Sequence, residues 1–162
     1  MDQIIIFCAK YLFVAILLLF IVAWLQASKT HKKQLLLTVI IAVIIAAILD
    51  KLGGKLYYDP RPFTHGIKPL ITHSADNGFP SEHTLFSMTI AGVIALYRRR
   101  LGGIALAVAA IVGLARMAAH VHSLIDIVGA TAMGLVAAYA GFWLVQRYLV
   151  AKRSGGRSAD SK

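Results

Sequence analysis

The sequence predicts an all-α fold, an integral-membrane bundle of five transmembrane helices with its N-terminus outside. Two properties of the composition indicate a membrane protein: 59% of the 162 residues are hydrophobic and only 15% are charged. The third observation is that the basic residues stand in short clusters between long apolar runs, as they do in membrane proteins. A soluble domain would carry a more polar surface than this composition allows.

Five apolar runs give the predicted helices, and they cover residues 4–25, 35–49, 83–97, 101–119 and 124–145. The first and the last are long enough to span a bilayer, which takes roughly 20 residues. The three middle runs reach that length only by including polar residues at one end, so we expect those ends to face water or a ligand. Residues 1–150 form a single membrane domain in this interpretation. The basic tail, 151–162, is predicted to be disordered and cytoplasmic.

The basic clusters also predict the orientation of the chain. They lie at 29–33, 98–100 and 147–162, and five spans place all three on one side of the membrane. The positive-inside rule makes that side cytoplasmic. The N-terminus, the loop 51–80 and the connection 116–123 then lie at the outer face of the inner (plasma) membrane. The same clusters account for much of the net charge of +10, so no nucleic-acid partner is expected.

The stretch 116–126 concentrates ionisable groups within an otherwise apolar region. Such groups are costly at membrane depth unless they are paired or functional. If a helix begins near His122, Asp126 lies one turn further on and can orient the imidazole, which prepares a nucleophilic or basic histidine. His120, His122 and Asp126 could instead bind zinc. Arg116 and the other cations nearby suit an anion better than a dication, so we expect no metal, and we interpret His120 as an interfacial bystander.

A second motif lies in the loop 51–80. Pro60 and Pro62 fix the backbone on either side of Arg61, and a rigidly held guanidinium suits a bidentate contact to an oxyanion. Lys55 adds a positive charge. The alternative is an ordinary proline-rich turn with basic residues at the level of the lipid headgroups.

The third motif, Pro80-Ser81-Glu82-His83, leads directly into an apolar run. Ser81 is a good N-cap, and the free amides of a first helical turn bind phosphate. His83 stands in that turn, where it can donate a proton to a bound group. The alternative is a capped helix with an interfacial histidine. Three such motifs on one membrane face indicate phosphoryl transfer without a metal or other cofactor, because cations supply the neutralising charge.

Together the motifs resemble those of the type 2 phosphatidic acid phosphatase superfamily, K-x6-R-P, P-S-G-H and S-R-x5-H-x3-D. The matching residues, in chain order, are Arg61, Pro62, Pro80, Ser81, His83, Arg116, His122 and Asp126. The R-x5-H-x3-D part of the last pattern is met at its full spacing by Arg116, His122 and Asp126. The order of the motifs and the helices between them also agree with the family.

The sequence departs from the family pattern at three places. Lys55 is one residue nearer the motif arginine than usual, with Lys51 as a poorer alternative; Glu82 replaces a glycine, and Ala115 replaces a serine. The acidic residue before His83 resembles the undecaprenyl-diphosphatase branch, which is linked to bacitracin resistance. The family usually has six spans, whereas this sequence predicts five.

The resemblance implies a mechanism that the residues alone do not fix, since they leave open which histidine is the nucleophile. His122 would attack the terminal phosphorus and form a phosphohistidine, while Asp126 orients its ring. His83 would protonate the leaving oxygen and then activate water. The side chains expected to hold the substrate are Lys55, Arg61, Ser81 and Arg116, with Pro62 and Glu82 beside them.

The expected reaction is the hydrolysis of undecaprenyl diphosphate to undecaprenyl phosphate and phosphate at the outer face, which would recycle a lipid carrier for peptidoglycan synthesis. The expected partner is therefore a polyisoprenyl or phospholipid phosphate in the membrane. Phosphatidylglycerophosphate, phosphatidate and lipid A are alternative substrates within the family. A small anion transporter, whose cations bind phosphate without hydrolysing it, is the alternative of another class.

Overall fold

The computed structural model describes the backbone of residues 1–159 and the side chains of residues 1–151. Five α-helices and one short 3-10 helix make up this part of the chain, which contains no β-strand. The helices are α1 (Asp2–Leu25), α2 (Lys29–Leu56), the 3-10 helix Pro62–His65, α3 (Glu82–Tyr97), α4 (Arg99–Ala118) and α5 (Leu124–Ala159). The predicted all-α class and the number of helices are confirmed.

Four of the five α-helices are long and apolar enough to cross a membrane, namely α1, α2, α4 and the part of α5 up to Ala151. The exception is α3, whose 16 residues fall short of the roughly 20 that a span needs. The prediction of five spans therefore holds for four helices, by length and composition. The side of the membrane on which the N-terminus lies stays a prediction.

The shortest of the five α-helices, α3, is also the central one. α3 packs against all four other α-helices, and most of the residues from Thr84 to Ile94 are buried. At Gly134 of α5 an added Cβ would lie 2.7 Å from the carbonyl oxygen of Leu85, so only glycine lets these two helices approach so closely. A helix enclosed on all sides gives its first turn a fixed position, and the third sequence motif lies in that turn.

The connections between the helices divide between the two ends of the bundle. At one end the guanidinium of Arg98, between α3 and α4, donates hydrogen bonds to the backbone and side chain of Gln26, which follows α1. At the opposite end the loop 57–81 meets the α4–α5 connection, where the Leu70 amide donates to the carbonyl of Ala119 at 3.1 Å. The first two basic clusters thus share one end, and the three motifs share the other.

One asparagine holds the long loop 57–81 in shape. The Asn77 carboxamide oxygen accepts hydrogen bonds from the amides of Asp59 and Phe79, and its nitrogen donates to the carbonyls of Gly54 and Tyr57. These four bonds tie both ends of the loop to the C-terminus of α2. A loop of this length with such internal bonding is a fixed wall rather than a simple connection.

The predicted disordered tail, 151–162, coincides with the end of α5. The helix runs to Ala159, residues 160–162 lie outside the described part of the chain, and side chains are described only as far as residue 151. Disorder of the tail, its cytoplasmic location and the boundary of the domain at residue 150 stay predictions.

Candidate active site

A polar cleft of about 310 Å³ opens at the end of the bundle that carries the three motifs. Its walls come from the end of α2, the loop 57–81, the start of α3, the end of α4 and the α4–α5 connection. The lining residues are Asp50, Lys51, Gly54, Arg61, His73, Asp76, Asn77, Phe79, Pro80, Glu82, His83, Arg116 and His122. Segments far apart in the sequence therefore bring cations and imidazoles to one place.

His122 is buried, and its neighbours determine which ring nitrogen carries the proton. Nδ1 lies 3.0 Å from the carbonyl oxygen of Gly78 and 3.2 Å from Oδ2 of Asp126. Both partners are acceptors, so Nδ1 must carry the hydrogen and donate it. In the neutral ring Nε2 is then left with a lone pair.

Nε2 of His122 faces two guanidinium groups. Nη1 of Arg61 lies 3.2 Å from it and Nη2 of Arg116 lies 3.3 Å from it. Guanidinium nitrogens only donate, which agrees with a bare Nε2. Two positive groups beside a lone pair form a place for an anion next to a nucleophile. The zinc alternative fits poorly here, because the same two groups would repel a dication.

Arg61 is held from several sides. Its Nε donates to Oδ1 of Asp76 at 2.7 Å, Nη1 also donates to the carbonyl of Val121 at 2.9 Å, and Nη2 donates to the carbonyl of Asn77 at 3.3 Å. The Ser74 hydroxyl and the Arg61 guanidinium together hold the pKa of Asp76 below its ordinary 3.8. Asp76 therefore stays ionised at neutral pH and fixes the orientation of Arg61.

Arg116, near the C-terminus of α4, is buried, and its Nε has no hydrogen-bond partner within the described part of the chain. A buried charged group without full hydrogen bonding is costly, and such a group in a native fold calls for an explanation. A bound anion would provide that missing partner.

The α4–α5 connection positions the histidine–aspartate pair. His120 has a left-handed backbone with φ 59° at the end of α4, and the amide of the next residue, Val121, donates back to the carbonyl of Arg116. Ser123 and Asp126 then form a capping box: the Asp126 amide donates to the Ser123 hydroxyl, and the Ser123 amide donates to Oδ2 of Asp126 at 2.9 Å. The carboxylate that orients His122 is thus fixed by the start of its own helix.

Ser81 is the N-cap residue of α3, as the sequence predicts, but its side chain accepts no hydrogen bond from the backbone amides of the first turn. Its hydroxyl instead accepts from Thr84 at 3.1 Å, and its amide donates to the carbonyl of Asp126 at 3.3 Å. Ser81 is fully buried between two residues of the cleft wall, Pro80 and Glu82. The start of α3 is therefore tied directly to the start of α5.

Glu82 and His83 stand where the polar cleft meets an apolar groove of about 240 Å³ between α1 and α3. The groove is also lined by Phe13, Ile16, Leu17, Phe86, Ser87 and Ile90. The ring of Phe13 meets the imidazole of His83 edge-on at 5.6 Å. Glu82 is exposed and forms no ion pair among the described residues, so pairing with Lys55 or Arg61, one explanation for an acid at this position, is not present.

The K-x6-R-P motif around Arg61 is met only in part. Pro62 begins the 3-10 helix directly after Arg61. Lys55, the expected lysine, does not line the cleft, whereas Lys51 does. The two lysines are four residues apart on one side of α2. Lys55 lies one turn beyond the cleft, because α2 continues past it to Leu56.

Several residues of the cleft are not predicted by the sequence motifs. Asp76, Asn77 and Gly78 precede the third motif and support Arg61 and His122, and His73 is a further imidazole in the cleft wall. A sequence signal existed for the capping box, because a serine three residues before an acid at the start of an apolar run is its usual pattern. No comparable signal marks His73.

The electrostatic surroundings of His122 favour its neutral form. Burial lowers the pKa of the imidazole from its ordinary 6.5, the hydrogen bond to Asp126 opposes this, and the guanidinium groups of Arg116 and Arg61 lower it further. A neutral ring at pH 7 keeps the lone pair of Nε2 available.

Among the described residues no cluster of three or more His, Cys, Asp or Glu side chains is placed to hold a metal ion. The arrangement that is present consists of a bare imidazole nitrogen, two guanidinium groups around it and a second histidine in the same cleft. Chemically, it suits attack on an electrophilic centre that carries negative charge, such as a phosphoryl group.

Comparison with known proteins supports this interpretation. The model of the PAP2 superfamily matches residues 32–149. The chain is 30% identical over 145 residues to the "Bacitracin transport permease protein BcrC" of Bacillus licheniformis, covering 88% of this chain and 71% of that protein. It is 27% identical over 143 residues to the "Undecaprenyl-diphosphatase BcrC" of Bacillus subtilis (strain 168), covering 88% and 74%. The crystal structure of Aquifex aeolicus LpxE shares the fold, with a TM-score of 0.68 and 22% identity over 86% of this chain and 84% of that one.

Gly78 provides a test of the geometry around His122. A Cβ at this position would lie 2.8 Å from Oδ2 of Asp126 and 3.0 Å from the carbonyl oxygen of Asp59. We expect Gly78→Ala to displace the carboxylate and weaken the hydrogen bonds at Nδ1. Nitrogen-15 NMR of histidine-labelled protein in detergent should then show His122 moving from the pure Nδ1–H tautomer towards a mixture. In Gly103→Ala, where the added Cβ meets nothing within 4 Å, the spectrum should not change; an unchanged spectrum in Gly78→Ala would contradict the proposed packing.

Proposed function

The chain belongs to the PAP2 superfamily, and from this membership and the geometry of its cleft we propose that it hydrolyses undecaprenyl diphosphate to undecaprenyl phosphate and inorganic phosphate. In this proposal the reaction is independent of metal ions and takes place at the outer face of the membrane. The observation that carries the proposal is the bare Nε2 of His122 between the guanidinium groups of Arg61 and Arg116.

The reaction begins with the terminal phosphoryl group at the place that the two guanidinium groups define. Nε2 of His122 attacks the phosphorus while the bond to the bridging oxygen breaks. That oxygen leaves with the lipid phosphate and takes a proton from His83, which has to enter the step as the imidazolium. Burial and the charge of Arg116 lower the pKa of His83 to about 4 in the free protein, and the negative charge of a bound diphosphate would favour the added proton. The positive charge that develops on the imidazole is stabilised by Asp126, whose Oδ2 lies 3.2 Å from Nδ1. A phosphohistidine is the product of this first half.

In the second half, His83, now without its proton, takes a proton from a water molecule, and the oxygen of that water attacks the phosphorus. The bond from phosphorus to Nε2 breaks, inorganic phosphate leaves, and both histidines return to their starting state. A single group that serves first as acid and then as base needs to lie beside the leaving oxygen, and His83 lines the same cleft as His122.

The cations hold the phosphoryl oxygens in this scheme. Arg61 is fixed by Asp76, and Arg116 has donor capacity that the described protein atoms do not use. Lys51 takes the place that the family lysine fills, because Lys51 lines the cleft and Lys55 does not. The buried hydroxyl of Ser81 and the first turn of α3 provide further donors close by.

The apolar groove between α1 and α3 supports a lipid as the substrate. It shares Glu82 and His83 with the polar cleft, so a molecule whose charged end lies at His122 has a continuous apolar path for its chain. A polyisoprenyl chain is apolar and flexible, and it would pass from this groove into the bilayer. Glu82 stands at the boundary between the chain and the phosphates, where its charge would disfavour substrates that carry negative charge at that level.

A second candidate function is transport of an anion without hydrolysis, and one relative is named a bacitracin transport permease. The two candidates differ in the need for His83: a binding site for an anion requires cations, whereas hydrolysis also requires a proton donor at the leaving oxygen. Phosphatidylglycerophosphate, phosphatidate and lipid A remain alternative substrates of the same reaction.

Phosphate release by the purified protein tests the proposal. We expect the wild-type chain in detergent to release phosphate from undecaprenyl diphosphate, and the substitutions His122→Ala, His83→Ala and Arg116→Ala to lower turnover by on the order of 10³-fold each, because the groups act as one unit. His120→Gly is the matched control, since glycine tolerates the left-handed backbone of residue 120.

The outcomes separate the candidates. No phosphate release by the wild-type protein would overturn the enzyme proposal and favour transport. Full activity in EDTA is expected, and loss of activity that zinc restores would contradict the metal-free mechanism. An inactive His120→Gly variant beside an active His122→Ala variant would reverse the roles assigned to the two histidines.

The two lysines of α2 provide a paired test of the anion cradle. Lys51→Ala is expected to raise KM for the lipid diphosphate by about tenfold, since a charge-assisted contact to phosphate is lost. Lys55→Ala should leave both kcat and KM within about twofold of wild type, because surface charges outside a site contribute little. Steady-state kinetics at constant ionic strength measures both variants, and the opposite ranking would restore Lys55 to the role.

The acidic limb of the pH profile of kcat/KM follows from the pKa of His122. Attack needs the neutral imidazole, and burial together with Arg116 and Arg61 lowers its pKa below the ordinary 6.5. We therefore expect the activity that depends on His122 to persist as the pH falls through 6.5 and to be lost only at lower pH. Nitrogen-15 NMR of the free protein should give the same titration, and a His122 pKa above 6.5 would contradict the electrostatic account.

A further inference from the structure

A third imidazole, His73, lines the cleft and has no part in the mechanism proposed above. It lies in the loop between the 3-10 helix and α3, and its ring centre is 6.2 Å from that of His122, with the planes at 76°. Its side chain is 26% exposed. His73 is therefore next to the nucleophile but open to the cleft.

The contacts of His73 do not explain its position. Its Nδ1 is buried and makes no hydrogen bond of normal geometry within residues 1–151, although the backbone of Ser74 interacts with the ring. Oδ1 of Asp76 lies 4.0 Å away, which is too far for a hydrogen bond, and that oxygen already accepts from Arg61 at 2.7 Å. Protein contacts therefore leave hydrogen-bonding capacity on the ring, in a cleft that suits anions.

The charges that face His73 come from several elements. Burial and the guanidinium groups of Arg61 and Arg116 lower the pKa of the imidazole below its ordinary 6.5, while the backbone of Ser74 and the carboxylate of Asp76 oppose the shift. The imidazoles of His122 and His83 face the same cleft. In the free protein the ring is thus neutral at pH 7, and it has one N–H to donate. A nearby phosphate would favour a second proton.

A diphosphate needs more donors than a monophosphate. Around the nucleophile, Arg61 and Arg116 supply donors to the phosphoryl group that is transferred. In a bound diphosphate the second phosphoryl group would follow directly after the first, and its negative oxygens would have to exchange water for protein donors. His73 is in place to meet them, because it lines the same cleft and its ring centre lies 6.2 Å from that of His122.

We propose that His73 donates a hydrogen bond to the phosphoryl group that stays with the lipid, and so selects diphosphates over monophosphates. This inference rests on the proposed function, since it concerns the substrate of the same cleft. It assigns the preference to a residue of the loop 57–81 rather than to the three motifs.

Matched soluble substrates test the inference. Wild-type protein, His73→Ala, His73→Gln and the control His65→Ala are assayed with farnesyl diphosphate and farnesyl phosphate. His65 is an exposed histidine of the 3-10 helix and does not line the cleft. We expect His73→Ala to lower kcat/KM for the diphosphate by about tenfold, mainly through KM, and to change it less than twofold for the monophosphate. His73→Gln, which keeps an N–H donor, should retain most of the preference.

Each other outcome is informative. Equal losses on both substrates would assign His73 to the support of Arg61 or His122 and overturn the proposal, and so would wild-type kinetics of His73→Ala. If the wild-type protein hydrolyses neither farnesyl compound and releases no phosphate from undecaprenyl diphosphate, the proposed function fails, but calorimetric binding of inorganic pyrophosphate and inorganic phosphate still tests His73. Tighter binding of pyrophosphate that disappears in His73→Ala would support the role in binding, and an unchanged ratio of the two affinities would overturn it.

Discussion

The imidazole of His122 has acceptors on one side and donors on the other, and the rest of the site depends on this arrangement. The Gly78 carbonyl and Asp126 take the proton of Nδ1, and Arg61 and Arg116 face Nε2. The four partners come from three segments of the chain, because Gly78 and Arg61 both belong to the loop 57–81. The long loop, the end of α4 and the start of α5 must therefore be correctly positioned relative to one another before the ring has a single tautomer.

Local hydrogen bonds and backbone conformations fix the relative positions of these segments. Asn77 closes the long loop with four hydrogen bonds, His120 turns the chain at the end of α4 through a left-handed backbone, and Ser123 forms a capping box with Asp126. None of these residues needs to contact a substrate. They fix the backbone so that the groups that do contact it have few alternative positions, which is the requirement for a preorganised site.

The sequence predicts the helices and most of the site because both depend on local patterns. Apolar runs locate the helices, and the fixed spacing of Arg116, His122 and Asp126 locates three buried polar side chains that the structure brings into contact. The predictions fail where tertiary structure decides. Whether Lys51 or Lys55 reaches the cleft depends on where α2 stops relative to the loop, and His73 meets His122 only because residues 57–81 fold back over the end of the bundle. The short length of α3 was visible in the sequence, but its enclosure by the other helices was not.

The two arginines of the site differ in how many hydrogen bonds they make to the protein, and this difference explains how a charged site can exist in such an apolar fold. Arg61 has a carboxylate and two carbonyls as partners, so its charge is largely compensated without a ligand. Arg116 is equally buried, but its Nε has no partner within the described chain. Desolvation of such a group is costly, and an anion that enters the cleft would recover part of that cost. The first arginine therefore maintains the shape of the site, and in the proposed function the second would contribute more to the affinity for the phosphoryl group.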